Sequence, residues 1–343
     1  MEKSFKFMPL SSSWVAIHPK PKGVVQFIGG AFFGSFPTLS YRYFLSQLFA
    51  NGYTIIALPF RFTFRHWPIA ISLLKEQTIL QQLIPHEARR LGYDDSIYGD
   101  ESKYFWIGHS LGCKYIALLE FLSERDWRDK LKDVIDYGEV EQVERAFDTI
   151  EPGKTDICNQ PSLLIAPDIS DTESAIRIPA LAHLIDRLGL GVKPMRKQTQ
   201  SLIKMSDLFN LTAMISFDRD TVAGSLTDST KSPKEQEKSD VLWFARQLQN
   251  KGLINQELSG KHLEPVGIKV GQYIVDFNPL DKFIEPIASR HLEQVAIQFL
   301  RQLKQRQQGL EQNQTQSTVE LRATVISSES NQQPKVHPVE TIG

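Results

Sequence analysis

The chain has 343 residues, 41% hydrophobic and 23% charged, a balance that suits a globular protein able to bury one large core. Its formal net charge of -1, from 39 basic and 40 acidic residues, gives no electrostatic argument for nucleic acid or an anionic membrane surface. Cys113 and Cys158 are too few for a disulfide framework and lack metal-ligand spacing. No run reaches the roughly 18 apolar residues of a spanning helix, and the first eight residues are too interrupted for a signal peptide, so the expectation is a cytoplasmic protein without a transmembrane segment.

In chain order, residues 1–13 read as an N-terminal extension to a main domain over 14–308. Trp14–Ile17 and Gly23–Ile28 are short apolar runs separated by the Pro-punctuated turn His18-Pro-Lys-Pro-Lys22, which suits a strand pair. The second run ends in Gly29-Gly30. Helical periodicity over Leu39–Asn51 stops at Gly52, and Tyr53–Leu58 then reads as a buried strand closed by Pro59. Strand, helix, strand in so short a span is a crossover unit, which implies a parallel sheet. Ile69–Leu91 supplies a long helix, with Pro85 a candidate break or restart.

Tyr104–Ile107 is the next strand, and it runs directly into Gly108-His109-Ser110-Leu111-Gly112. A Gly two places before and two places after a Ser is what a nucleophile elbow needs, because the turn leaves no room for flanking side chains. Leu111, Tyr115, Leu118, Leu119 and Leu122 then share one helical face, so the motif has strand, turn and helix in the required order.

Two segments, about 125–160 and 171–206, read as helical insertions forming a cap, with the buried strand Ser162–Ala166 and Asp168 between them. Leu211–Phe217 is a further strand, followed by Asp218 and Asp220. Residues 225–238 are rich in Ser, Thr, Lys and Glu and read as a mobile loop. A helix over 240–251, a strand over Leu253–Leu258 and the segment Ser259-Gly-Lys-His262 follow. The last helix is expected over Lys282–Gln305 with His291 on its apolar face, and the polar residues 309–343 are expected to be disordered.

The order of these signals resembles the α/β-hydrolase superfamily over roughly residues 14–305. The segments Gln26–Pro37 and Gly108–Cys113 are more narrowly similar to a family of uncharacterised proteins from cyanobacteria and plastids. The resemblance implies an α/β fold: a mostly parallel sheet, helices on both faces, and helical insertions as a cap. It also implies a nucleophile, acid and base in that chain order. Ser110 falls on the nucleophile, Asp220 on the acid and His262 on the base, with Asp218 and Asp168 as alternative acids. A Ser hydroxyl needs such a base, and the base needs a carboxylate to fix its tautomer.

The oxyanion is expected to meet the amides of Leu111 and of Gly30 or Ala31. The loop departs from its commonest form, which begins His-Gly, because Ile28 stands at the His place. Phe32, Phe33, Phe60, Arg61 and Arg65 lie on loops that leave parallel strands and are candidates for an apolar acyl pocket with a cationic rim. The resulting expectation is a serine hydrolase of a small-molecule ester or thioester, with no metal, organic cofactor or nucleic-acid partner. A non-catalytic binding protein of the same fold and an acyltransferase using the same triad remain as alternatives. The oligomeric state is open.

Overall fold

The longest apolar runs become the middle of one sheet. The computed structural model describes residues 5–150, 156–170, 191–275 and 284–330. Its strands are β1 Met8–Leu10, β2 Ser13–Ala16, β3 Gly23–Ile28, β4 Tyr53–Ala57, β5 Tyr104–His109, β6 Ser162–Ile165, β7 Thr212–Phe217 and β8 Ile254–Leu258. They lie side by side in the order β1, β2, β4, β3, β5, β6, β7, β8. The β1/β2 and β2/β4 pairs are antiparallel and every later pair is parallel. Every residue of β3 through β7 is buried, so these strands read as continuous apolar runs without alternation.

The helices are α1 Pro37–Ser40, α2 Arg42–Ala50, α3 His66–Arg90, α4 Leu111–Leu122, α5 Trp127–Lys132, α6 Tyr137–Phe147, α7 Arg196–Met205, α8 Pro233–Gln236, α9 Asp240–Leu248 and α10 Leu292–Ser330. α3 and α7 pack on α4, whereas α10 packs on α2 and on β6 and β7, so the sheet is covered on both faces. This is the mostly parallel, two-faced α/β-hydrolase architecture that the order of motifs implied.

Several elements differ from the sequence reading. Pro85 lies inside α3 without ending it. The carbonyl it deprives of a donor belongs to Gln81, which is only half-buried, so water can take the vacated position. Ile284–Pro286 forms a strand, β11, in a separate antiparallel sheet with β9 Ile268–Val270 and β10 Tyr273–Val275. The last helix therefore begins at Leu292, and His291 stands exposed just before it rather than in an apolar face. That helix continues to Ser330, into the segment expected to be disordered. β1 and part of β2 use residues assigned to an extension, and the expected loop 225–238 carries a 3-10 turn, Leu226–Thr230, and α8. α5, α6 and α7 occupy parts of the two expected cap segments, while 171–190 lies outside the described residues.

Register places the chemistry. Ile28 pairs with Gly108, His109 with Ile165, Ile165 with Ile215, and Phe217 with Leu258. The carboxyl ends of β3, β5, β6, β7 and β8 therefore stand in one row. β3 continues to β4 on one side and borders β5 on the other, so the loops after β3 and β5 part at the point where strand order reverses.

Candidate active site

The turn after β5 is held by contacts that only glycine permits. Ser110 has φ 54° and ψ -122°, a region that costs a non-glycine residue on the order of 1–3 kcal/mol and persists only where the surroundings enforce it. A Cβ on Gly112 would lie 2.2 Å from the Ile28 carbonyl oxygen, and one on Gly108 would lie 2.8 Å from the Cys113 amide nitrogen. The two glycines thus let α4 start directly against the end of β3. The Ser110 amide donates to the Ile165 carbonyl at 3.0 Å, and the Ser110 carbonyl accepts from the Cys113 amide at 2.9 Å.

The structure brings together the three residues at the ends of β5, β7 and β8. His262 Nε2 lies 2.8 Å from Ser110 Oγ, and His262 Nδ1 lies 2.8 Å from Asp220 Oδ2. Because the carboxylate only accepts, Nδ1 carries the proton and Nε2 is left to accept from the Ser110 hydroxyl. The other oxygen of Asp220 accepts from the amides of Val222 and Ala223 at 2.7 and 3.0 Å, which fixes the carboxylate's orientation. Burial disfavours a charged His262, but the hydrogen bond and charge of Asp220, with the nearby charge of Asp168, outweigh it and raise the imidazole above its ordinary range.

The alternative acids are occupied elsewhere. Asp218 Oδ1 accepts from the Gly260 amide at 2.9 Å and so holds the loop that leads to His262. Asp168 Oδ1 accepts from the Ser170 amide at 2.9 Å, while its own amide donates to the Ser110 carbonyl at 3.3 Å. The Asp168 carboxylate acts on His262 through its charge.

The two oxyanion candidates after β3 are not equivalent. The Gly30 amide donates to Tyr41 Oη at 2.7 Å, so it is already engaged. Among the described residues, the amides of Ala31 and Leu111 donate to no protein acceptor. Leu111 is the first residue of α4, where the helix dipole adds to the attraction for negative charge. The Gly30 amide is thus engaged within the protein, whereas those of Ala31 and Leu111 are not, among the described residues.

Of the pocket candidates, Phe32 is 69% exposed and its ring lies 4.9 Å from that of Phe62. Phe33 is half-buried. Phe60 is buried; its ring covers Gly34 and meets Tyr115 edge-on at 4.9 Å, so it supports the loop from below. Arg61 and Arg65 are exposed. Arg65 also borders a cavity of about 280 Å³ walled by Trp67, Ile71, Glu139, Val143 and Lys193.

Sequence reasoning missed Tyr41 and named His109 only as a member of the elbow motif. Tyr41 Oη lies 2.9 Å from His109 Nδ1, and His109 Nε2 lies 2.8 Å from the His262 carbonyl oxygen. A helix-start tyrosine carries no motif, so only the fold reveals the first of these contacts. Cys113 is buried behind the elbow, where desolvation pushes its thiol well up, and it serves as packing.

A mostly parallel sheet in this strand order, covered by helices on both faces, has the α/β-hydrolase architecture, and a buried carboxylate, imidazole and hydroxyl stand in a row at its carboxyl edge. Residues 6–153 match the family model described as "Protein of unknown function (DUF1350)". No curated protein matches the chain. Among solved structures, the chain is similar to a carboxylesterase from Lactobacillus plantarum WCFS1, with 11% identity, coverage of 87% of this chain and 96% of that one, and a TM-score of 0.49. It is also similar to esterase 2 of Thermogutta terrifontis, with 14% identity, coverage of 85% and 89%, and a TM-score of 0.43. No helix among the described residues is long and apolar enough to cross a membrane.

Proposed function

We propose that the chain is a serine hydrolase of carboxylic ester or thioester bonds in a small-molecule acyl substrate. The observation that carries this reading is the unbroken run Asp220, His262, Ser110, each link at 2.8 Å, below a turn with two uncommitted amides. In this scheme Ser110 Oγ attacks the acyl carbon while its proton passes to His262 Nε2. Asp220 holds the resulting imidazolium, and the Ala31 and Leu111 amides stabilise the oxyanion. His262 then protonates the departing alkoxide or thiolate, and water repeats the sequence to release the acid and restore Ser110. The scheme uses no metal or organic cofactor.

The alternative of a non-catalytic binding protein has less support, because a structural serine has no need of an oriented imidazole and carboxylate at hydrogen-bond distance. A fluorophosphonate probe tests the reading. Labelling is expected at Ser110, with hydrolysis of short p-nitrophenyl esters reduced by roughly 10³-fold or more in Ser110→Ala. An unlabelled, folded protein whose esterase rate is unchanged by that substitution would overturn it.

A further inference from the structure

Tyr41 and His109 touch none of the reacting atoms, yet they join two loops that a hydrolase must hold in register. The direction of every bond between them follows from the atoms present. The His262 carbonyl oxygen can only accept, so His109 Nε2 carries a proton. His109 is completely buried, and burial together with the charge of nearby His262 holds its pKa down to about 3. The ring is therefore neutral, Nδ1 is bare, and it accepts the Tyr41 hydroxyl proton at 2.9 Å. The Tyr41 oxygen in turn accepts the Gly30 N–H at 2.7 Å.

We propose that Tyr41 and His109 form a positioning relay, Gly30 N–H to Tyr41 O–H to His109 to the His262 carbonyl, that locks the oxyanion loop against the loop carrying the base. The inference rests on the serine hydrolase reading for its catalytic consequence. With the Gly30 amide tied back, the next amide, that of Ala31, is the one left to meet an oxyanion. The relay has little play. A Cβ on Gly30 would lie 3.2 Å from both His109 Nδ1 and Ser110 Cβ, and one on Gly29 would lie 2.6 Å from the Tyr41 ring. The Tyr41 ring also meets Phe27 of β3 edge-on at 4.6 Å, which anchors it to the sheet. An oxyanion donor stabilises a transition state only when aimed in advance, so a positioning residue here acts on kcat more than on substrate binding.

The test uses the full chain and three variants. Tyr41→Phe and His109→Phe each remove links but keep a ring, whereas His109→Gln keeps an amide donor for the His262 carbonyl. Where the fluorophosphonate probe shows Ser110 of the wild type to be reactive, kcat of the probe-free enzyme for a short p-nitrophenyl ester is expected to fall about 10- to 100-fold in the two Phe variants, with KM held within about 2-fold. Inhibition by phenylboronic acid, which forms a tetrahedral adduct, should weaken by the same factor, and His109→Gln should recover part of both losses. Folded Phe variants with wild-type kcat and boronate affinity would overturn the relay.

Nitrogen NMR of the isotope-labelled wild-type chain gives a reading independent of turnover and of variant folding. His109 is expected as the neutral Nε2–H tautomer between about pH 6 and pH 8. The Nδ1–H tautomer or an imidazolium there would overturn the relay. A protein that fails to react with the fluorophosphonate probe at Ser110 yet shows the Nε2–H tautomer would support the hydrogen-bond chain and overturn the hydrolase reading, so the two failures are distinguishable.

Discussion

At the scale of single residues, the proposed mechanism turns on the proton of His262. The base must be neutral to accept from Ser110, and Asp220 raises its pKa above the ordinary imidazole value of 6.5 despite burial. The expected kcat/KM therefore rises with pH along an acid limb whose midpoint lies above 6.5. Asp220→Asn removes the hydrogen bond and charge that raise it. Its residual activity, down by roughly 10⁴-fold as in other triads, should show the limb displaced to lower pH. A pH-rate profile on purified wild type and variant measures both; a limb at or below 6.5 in the wild type would contradict the Asp220 pairing.

Much of this residue set was legible beforehand, because a serine between two glycines, an Asp past a late strand and a His past the last one each carry a local signal. Among Asp168, Asp218 and Asp220 the family resemblance favoured Asp220, but spacing alone did not, since all three follow strands. What separates them is a hydrogen-bond partner that sequence spacing does not encode. Gly30 and Ala31 were indistinguishable for the same reason: it is Tyr41, between α1 and α2, that engages the Gly30 amide.

At the scale of elements, the loop bearing His262 is braced by a buried ion cluster at the foot of α10. Arg290, with its side chain 2% exposed, contacts Glu293 at 2.8 Å, Glu285 at 3.2 Å and Glu264 at 3.6 Å. Glu264 is two residues beyond His262, and its Oε1 accepts from the Lys261 amide at 3.0 Å. Arg290→Met keeps the bulk of the side chain but leaves these carboxylates without their shared cation. Breaking a buried pair in this way costs about 3–5 kcal/mol, and chemical denaturation should register a loss of that order. The variant's esterase rate should fall with it, because the brace and the base share one short loop. A stability change below about 1 kcal/mol would show that the cluster is solvated like a surface pair.

The long helices and fully buried strands were readable because their apolar runs are long. The three-residue strands around this brace were not, since periodicity needs more residues than they have. The misplacement of Ile284 and His291 on α10 has the same cause: a short strand and a 3-10 turn interrupt what looks like one helical face.

For the whole molecule, net charge near zero conceals strongly opposed buried groups. Glu120 lies within the fold, and burial raises its carboxyl to about 7, against the partial relief of bonds from Ser162 and the Phe209 amide. Asp240 is likewise raised to about 7 by burial, more than Arg196 beside it can offset. Carboxyls raised in this way contribute stability that is fully present below their unfolded range and lost as pH climbs to about 7. His66 and His109 act in the opposite direction. Burial first, with the charge of Lys114 for His66 and of His262 for His109, holds both imidazoles well below 6.5, so the unfolded chain gains protons that the folded chain refuses as pH falls.

His66 gives the cleaner test of this balance, because its Nδ1 is buried without a hydrogen-bond partner among the described residues and it stands apart from Ser110, His262 and Asp220 at the start of α3. His66→Phe keeps a ring against Tyr115, which the imidazole meets edge-on at 5.5 Å, and removes the group that resists acid. As pH falls from about 7.5 to about 5, the stability of this variant relative to wild type should improve, because the unfolded wild-type chain takes up a proton that the buried imidazole refuses. Denaturant midpoints at the two pH values measure the change. A difference independent of pH would mean that His66 is protonated equally in both states, which its burial beside Lys114 opposes.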